Sequence, residues 1–151
     1  MEESIKLTGQ VHVMLFDKDG KLKQEHTDHN LIVTAGKTYL MSWLAAASQA
    51  GKFMSYVAVG SSSAAPVSGN TTLGSEITGS GNSRVVGTLT SGVQSWTNQA
   101  TFSPGNCTGT INEAGLFSAS SSGTMFARQT FATYPKGSVD TLVIIWTITL
   151  S

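Results

Sequence analysis

The C-terminal run "DTLVIIWTITL", residues 140–150, alternates its side chains with a period of two over its whole length. Leu142, Ile144, Trp146, Ile148 and Leu150 share one face of an extended chain, and Thr141, Thr147 and Thr149 share the other. Val143 and Ile145 interrupt that second face, so the spacing predicts a central strand over 139–150, covered on both sides at its middle. The first residues repeat the pattern. Ile5, Leu7, Val11, Val13 and Leu15 point one way, and Lys6, Thr8, Gln10 and His12 the other. "DKDGK" (17–21) supplies a turn and a return strand follows over about 21–27. Residues 1–30 therefore form a β-hairpin, either an arm or the edge of the main sheet.

One helix is expected, over about 35–50, with Thr34 as N-cap and Gly51 as its stop. Tyr39, Leu40, Trp43, Leu44 and Ala47 make a stripe at helical spacing, which reads as a core-facing plug on the sheet. Further strands are expected at about 54–59, 84–90, 93–103, 109–117 and 124–131, with Trp96, Ala100 and Phe102 on one face of the third of these. Between them, residues 60–83 are mostly Gly, Ser, Ala and Thr with Pro66, and show little periodicity. A loop of that length is functional, disordered or held by something else; we expect a partner to hold it, with Leu73 and Ile77 as its apolar pins. About eight short strands and one helix in a chain of this length predict a single mainly β domain, an antiparallel β-sandwich or jelly roll.

Composition narrows the function. Only 12% of residues are charged, the net charge is zero, and more than a third of the chain is Ser, Thr or Gly. A solitary soluble protein usually carries more surface charge, so much of this surface is expected to meet other subunits. The absence of a basic excess argues against a nucleic-acid groove. No apolar run approaches a membrane span, and the acidic, polar N-terminus does not read as a secretory signal. The sequons at Asn70 and Asn106 then carry no glycan. Cys107, in the turn-like "SPGNCTG", has no second thiol and no nearby histidine, and reads as a small, semi-buried residue.

Catalytic templates fail in turn. The chain has no nucleophile elbow, no phosphate-binding loop and no dinucleotide fingerprint, and "GSGN" (79–82) lacks the helix and lysine that would cradle phosphate. His26 and His29, three apart on a strand, point to opposite faces, so "HTDH" with His12 makes a poor metal site. "DKDG" lacks the ligand spacing and downstream acid of a calcium loop. No catalytic, cofactor or metal residue is assigned. Glu113 and Arg128, inside "INEAGLFSASSSGTMFARQTF" (111–131), are the exception that needs a role. If 118–123 is the tip of a symmetric hairpin, Phe117 pairs with Thr124 and Glu113 lies directly opposite Arg128. Cross-strand opposite charges fix register, and a catalytic acid would want a second acid, base or metal that the local pattern lacks. The pair reads as a structural lock, which a charge swap of the two residues should largely preserve.

The segments "HNLIVTAGKTYL", "MSYVAVGSSSAAP", "NTTLGSE", "TFSPGNCTGTINEAGLFSASSSGTMFARQTF" and "DTLVIIWTITLS" resemble small virion structural proteins of tailed bacteriophages. The similarity runs from about Leu7 to Ser151. Related segments occur in tail-fibre and baseplate proteins, whereas a short chain with the N-terminal hairpin looks most like head-associated cement or decoration proteins. The resemblance implies a homo-oligomer, with trimers common at capsomer junctions, that binds the major capsid protein on the virion surface, after assembly in the host cytoplasm. It implies no enzymatic activity, cofactor, nucleic acid, membrane or small-molecule substrate. The alternative is a tail-fibre or baseplate module that binds a host surface glycan, with Tyr56, Trp96 or Tyr134 as the sugar platform.

Overall fold

The computed structural model describes residues 4–46 and 53–151. Among these residues are ten strands, β1 (Leu7–Phe16), β2 (Leu22–His29), β3 (Leu31–Ile32), β4 (Tyr56–Gly60), β5 (Val85–Val86), β6 (Thr88–Ser91), β7 (Ser95–Phe102), β8 (Gly109–Phe117), β9 (Met125–Lys136) and β10 (Thr141–Leu150), and one helix, α1 (Thr34–Leu44). They form two antiparallel five-stranded sheets, β2-β1-β10-β7-β6 and β3-β9-β8-β4-β5, packed as a β-sandwich. The N-terminal hairpin is the edge of the first sheet, with β1 hydrogen-bonded between β2 and β10. Its turn is set by Asp17, whose carboxylate accepts the backbone N–H groups of Asp19 and Lys21.

Alternation carries the core. Val11, Val13 and Leu15 of β1, Ala100 and Phe102 of β7, and Leu142, Ile144, Trp146 and Ile148 of β10 point inward and are buried. Burial of each large side chain contributes about 1.5–3 kcal/mol. Val143 and Ile145 lie on the opposite, outer face of β10 and are only half-buried, so β10 is central in its sheet but covered on one side. The strand covered on both faces is β8, where burial is nearly continuous from Ile111 to Phe117. Its outer face lies under Leu73 and Met125, which cluster with Val33, Ala58 and Phe117.

Two breaks let the chain pass between sheets at the sandwich edges. Asn30 separates β2 in the first sheet from β3 in the second. The expected strand 84–90 is in fact two, β5 and β6, in different sheets, because the chain turns at Gly87. Gly87 donates to the Ser55 carbonyl at 2.7 Å, and a β-carbon there would collide with the amide oxygen of buried Asn98. The Asn98 side chain donates to the Met54 carbonyl at 2.8 Å, tying β7 to the segment before β4.

The helix is shorter than expected, and its entry differs. Val33, not Thr34, is the N-cap, and it supplies no side-chain bond; Thr34 is the first helical residue. Residues 47–52, with Ala47 and the stop proposed at Gly51, lie outside the described residues. The buried contact is Gly36, which lies so close to the Phe126 backbone that no side chain would fit. Tyr39 and Leu40 pack on the main core, whereas Leu44 joins Met41 on the exposed side. Among the described residues no helix is long and apolar enough to cross a membrane.

Candidate functional site

The Glu113–Arg128 pair exists, but not as a directly opposed one. Glu113 faces Thr130, and Arg128 faces Gly115. The reason lies at the hairpin tip. Ser118 closes the turn through its N–H to the Thr124 carbonyl, and its hydroxyl accepts the Thr124 N–H. An irregularity between Leu116 and Phe117 then adds a further step to the register. The total offset is two residues, which keeps both side chains on one face and lets them meet along the diagonal.

The pair is almost inaccessible, with Glu113 at 0% and Arg128 at 2% exposure. Arg128 Nε and Nη2 donate to Glu113 Oε2 at 2.9 and 2.7 Å. The remaining guanidinium bonds go to the loop: Nη1 to Asn70 Oδ1 and the Ala65 carbonyl, Nη2 to the Ala64 carbonyl. Glu113 Oε1 accepts the backbone N–H groups of Ser75 (2.7 Å) and Ser62 (3.4 Å), and Oε2 that of Gly74 at 3.0 Å. The donors of Arg128 and the carboxylate oxygens of Glu113 are thus engaged within the chain, as two buried opposite charges require. Segment 61–75 is fastened to its own sheet by these bonds and by Leu73, and Ile77 N–H bonds to the Val59 carbonyl beyond it.

A second charged clamp was not singled out in the sequence. Arg84 donates through Nε and Nη2 to the two carboxylate oxygens of Glu76 at 2.7 and 3.0 Å. Its Nη1 reaches the carbonyls of Ala119 and Ser122, and the guanidinium stacks 3.7 Å above the Phe117 ring. The available signal was an acid and an arginine flanking the glycine turn 79–82 in a chain with few charges. Together the clamps hold both the long loop and the β8–β9 tip on the outer face of the second sheet.

Several other polar residues also have structural partners. Lys136 is buried and donates to the Ser103 carbonyl at 3.1 Å; burial pushes its ammonium below the usual lysine range. Nearby Asp140 bonds Lys23 and the Gly137 N–H, and the Lys23 hydrogen bond is the largest cause holding its carboxyl below the usual range. Cys107 is buried, which pushes its thiol up, and its N–H bonds the Asn82 side chain. His26 and His29 stand on opposite faces of β2, and His12 pairs with Glu25 at 3.2 Å. Of the aromatic candidates, Tyr134 is buried, with its hydroxyl donating to the Val13 carbonyl. Trp96 and Tyr56 are half-buried, Trp96 edge-on to Phe126. An open surface depression of about 570 Å³ lies between α1 and residues 68–71, with Thr34, Thr38, Ser42, Ser68 and Thr71 among its lining.

Of the exposed apolar side chains, Ile5, Val93 and Leu150 lie at one end of the first sheet, and Leu22 and Val139 at the other. Leu150 ends β10 opposite Leu7, with its N–H on the Gln94 carbonyl, and Ile5 adjoins the Lys6–Ser151 backbone pair beside it. Val93 tops the adjacent β6–β7 turn. Lys37 of α1 lines a depression with Leu7 and Thr8, and Met41 and Leu44 continue its helical face. Ile5, Met41, Leu44, Val93 and Leu150 are all exposed. Comparison of the chain with protein-family models, curated proteins and solved structures finds no match in any of the three.

Proposed function

We propose that this protein is a virion structural protein of a tailed bacteriophage, specifically a capsid cement or decoration protein that binds across major capsid protein subunits and stabilises the head. The observation that carries the reading is the exposure of Ile5, Val93 and Leu150 at one end of the first sheet, and of Met41 and Leu44 on α1, on a chain of zero net charge. Exposed apolar clusters of this kind mark surfaces made to be covered. The sequence resemblance supplies the kind of partner, and the symmetry of a shell favours a homo-oligomer, three copies at a junction being the natural arrangement. The rigid, internally bonded Glu113–Arg128 site supports a structural rather than a catalytic role, since its polar atoms are already engaged. The glycan-binding alternative has less to stand on, because buried Tyr134 cannot stack on a sugar.

The test is to add purified protein to phage heads assembled without it. Binding should be saturable and should raise the temperature at which the heads rupture. Immunogold labelling confined to the tail tip would contradict the reading.

A further inference from the structure

Among the described residues four sheet edges are available for pairing, and three of them are blunted. The edge strand β2 carries Lys23, Glu25, His26 and Asp28, and β3 and β5 are two residues long. The fourth edge, β6 (Thr88–Ser91), is exposed along its whole length and holds neither charge nor proline. No charged residue occurs anywhere between Arg84 and Glu113. Leu89 in the strand and Val86 and Val93 beside it are exposed as well.

The hairpin fixes which backbone groups are free. Gly92 N–H bonds the Ser95 carbonyl at 2.7 Å across the β6–β7 turn, and the register continues regularly as Ser91↔Trp96, Thr90↔Thr97, Leu89↔Asn98 and Thr88↔Gln99. Hydrogen-bonded and non-hydrogen-bonded pairs alternate in an antiparallel ladder. Thr88 and Thr90 therefore turn their backbone groups toward β7, and Leu89 and Ser91 turn theirs outward.

We propose that β6 pairs edge to edge with the β6 of a second copy of this chain, antiparallel across a two-fold axis through Thr90. In that register Leu89 of each copy faces Ser91 of the other, so the outward N–H and C=O groups of both residues find partners. Thr90 faces Thr90 on the outer sheet surface, and Val93 comes beside Gly87 of the second copy. Charge selects the occupant. A charged partner strand would lose its water here without meeting a counter-charge, whereas a second copy presents the same uncharged groups. The patch is small, so the dimer is weak and reversible. Being two-fold, this contact stands apart from the shell reading and from any three-fold assembly at a capsomer junction.

Sedimentation equilibrium of the full chain, from micromolar to millimolar concentration, tests it. The wild type should show a reversible monomer–dimer equilibrium. Thr90→Lys and Thr90→Glu each place like charges face to face across the axis and should weaken the dimer about fivefold or more. An equimolar mixture of the two variants should restore it, which a merely structural effect at this exposed position would not do. A wild type that stays monomeric throughout, an oligomer that neither variant weakens, or a mixture that stays as weak as its components would overturn the proposal.

Discussion

Arg128 reaches Glu113 from two positions along the ladder, with its guanidinium 2.7 Å from the carboxylate and Gly115, not Glu113, directly opposite it. That offset turns a register lock into a clamp. Each side chain spends its remaining hydrogen-bonding capacity on segment 61–75, Glu113 on backbone N–H groups and Arg128 on carbonyls.

Removal of either partner leaves a buried, unpaired charge. Glu113→Ala and Arg128→Ala are each expected to cost about 3–5 kcal/mol, read as a lower urea midpoint. The exchanged pair, Glu113→Arg with Arg128→Glu, is expected to be no better. An arginine at 113 would meet backbone N–H donors, and a glutamate at 128 would meet carbonyls. Recovery of most of the lost stability in the exchanged pair would show that only charge pairing matters.

Arg84 is expected to matter through shape as well as charge. It uses a bidentate fork on Glu76, two carbonyls of the β8–β9 tip and the face of Phe117. Arg84→Ala should cost about 2 kcal/mol and Arg84→Lys should restore less than half of it, because a lysine cannot reproduce the planar fork. Limited proteolysis within 118–123 should accelerate in both variants. Unchanged cleavage would separate the tip from the clamp.

Gly87→Ala is expected to destabilise by about 1–3 kcal/mol, because the added methyl group must displace the Asn98 amide at the crossing between sheets. Trp96 lies two residues from Asn98 on the same strand, so its fluorescence should shift in this variant. A wild-type spectrum and wild-type stability would show that the corner can rearrange.

Tyr134 makes the fold sensitive to alkali. Burial pushes its phenol up to about 12, so the folded chain keeps a proton that the unfolded chain releases near pH 10. Stability linked to this group is whole below about pH 10 and falls through about pH 12, by roughly 3 kcal/mol in total. Tyr134→Phe should lose the hydrogen bond to Val13 but flatten this alkaline fall. Phenolate absorbance showing all three tyrosines ionising together near pH 10 would contradict the assignment.

The sheets were legible because period-two alternation writes burial directly into the order of residues, as in Leu142, Ile144, Trp146 and Ile148. What escaped depended on contacts between distant segments. The 84–90 run reads as one strand until Asn98 and Ser55 are known to meet Gly87. The helical stripe placed Leu44 inward, yet Leu44, the last residue of the helix, is exposed. For Glu113 and Arg128, sequence gave the right partners and the wrong register. Ser118 capping Thr124 and the irregularity at Leu116–Phe117 are settled by local geometry at the tip. The loop bonds that complete the clamp join residues up to 64 positions apart, beyond any local pattern.

The most direct test of the proposed shell-binding role is the number of copies of this protein in each purified virion, measured by quantitative mass spectrometry against the major capsid protein. The account expects hundreds of copies, in fixed ratio to the capsid subunits and retained on heads separated from tails. A handful of copies per virion, partitioning with the tails, would contradict it.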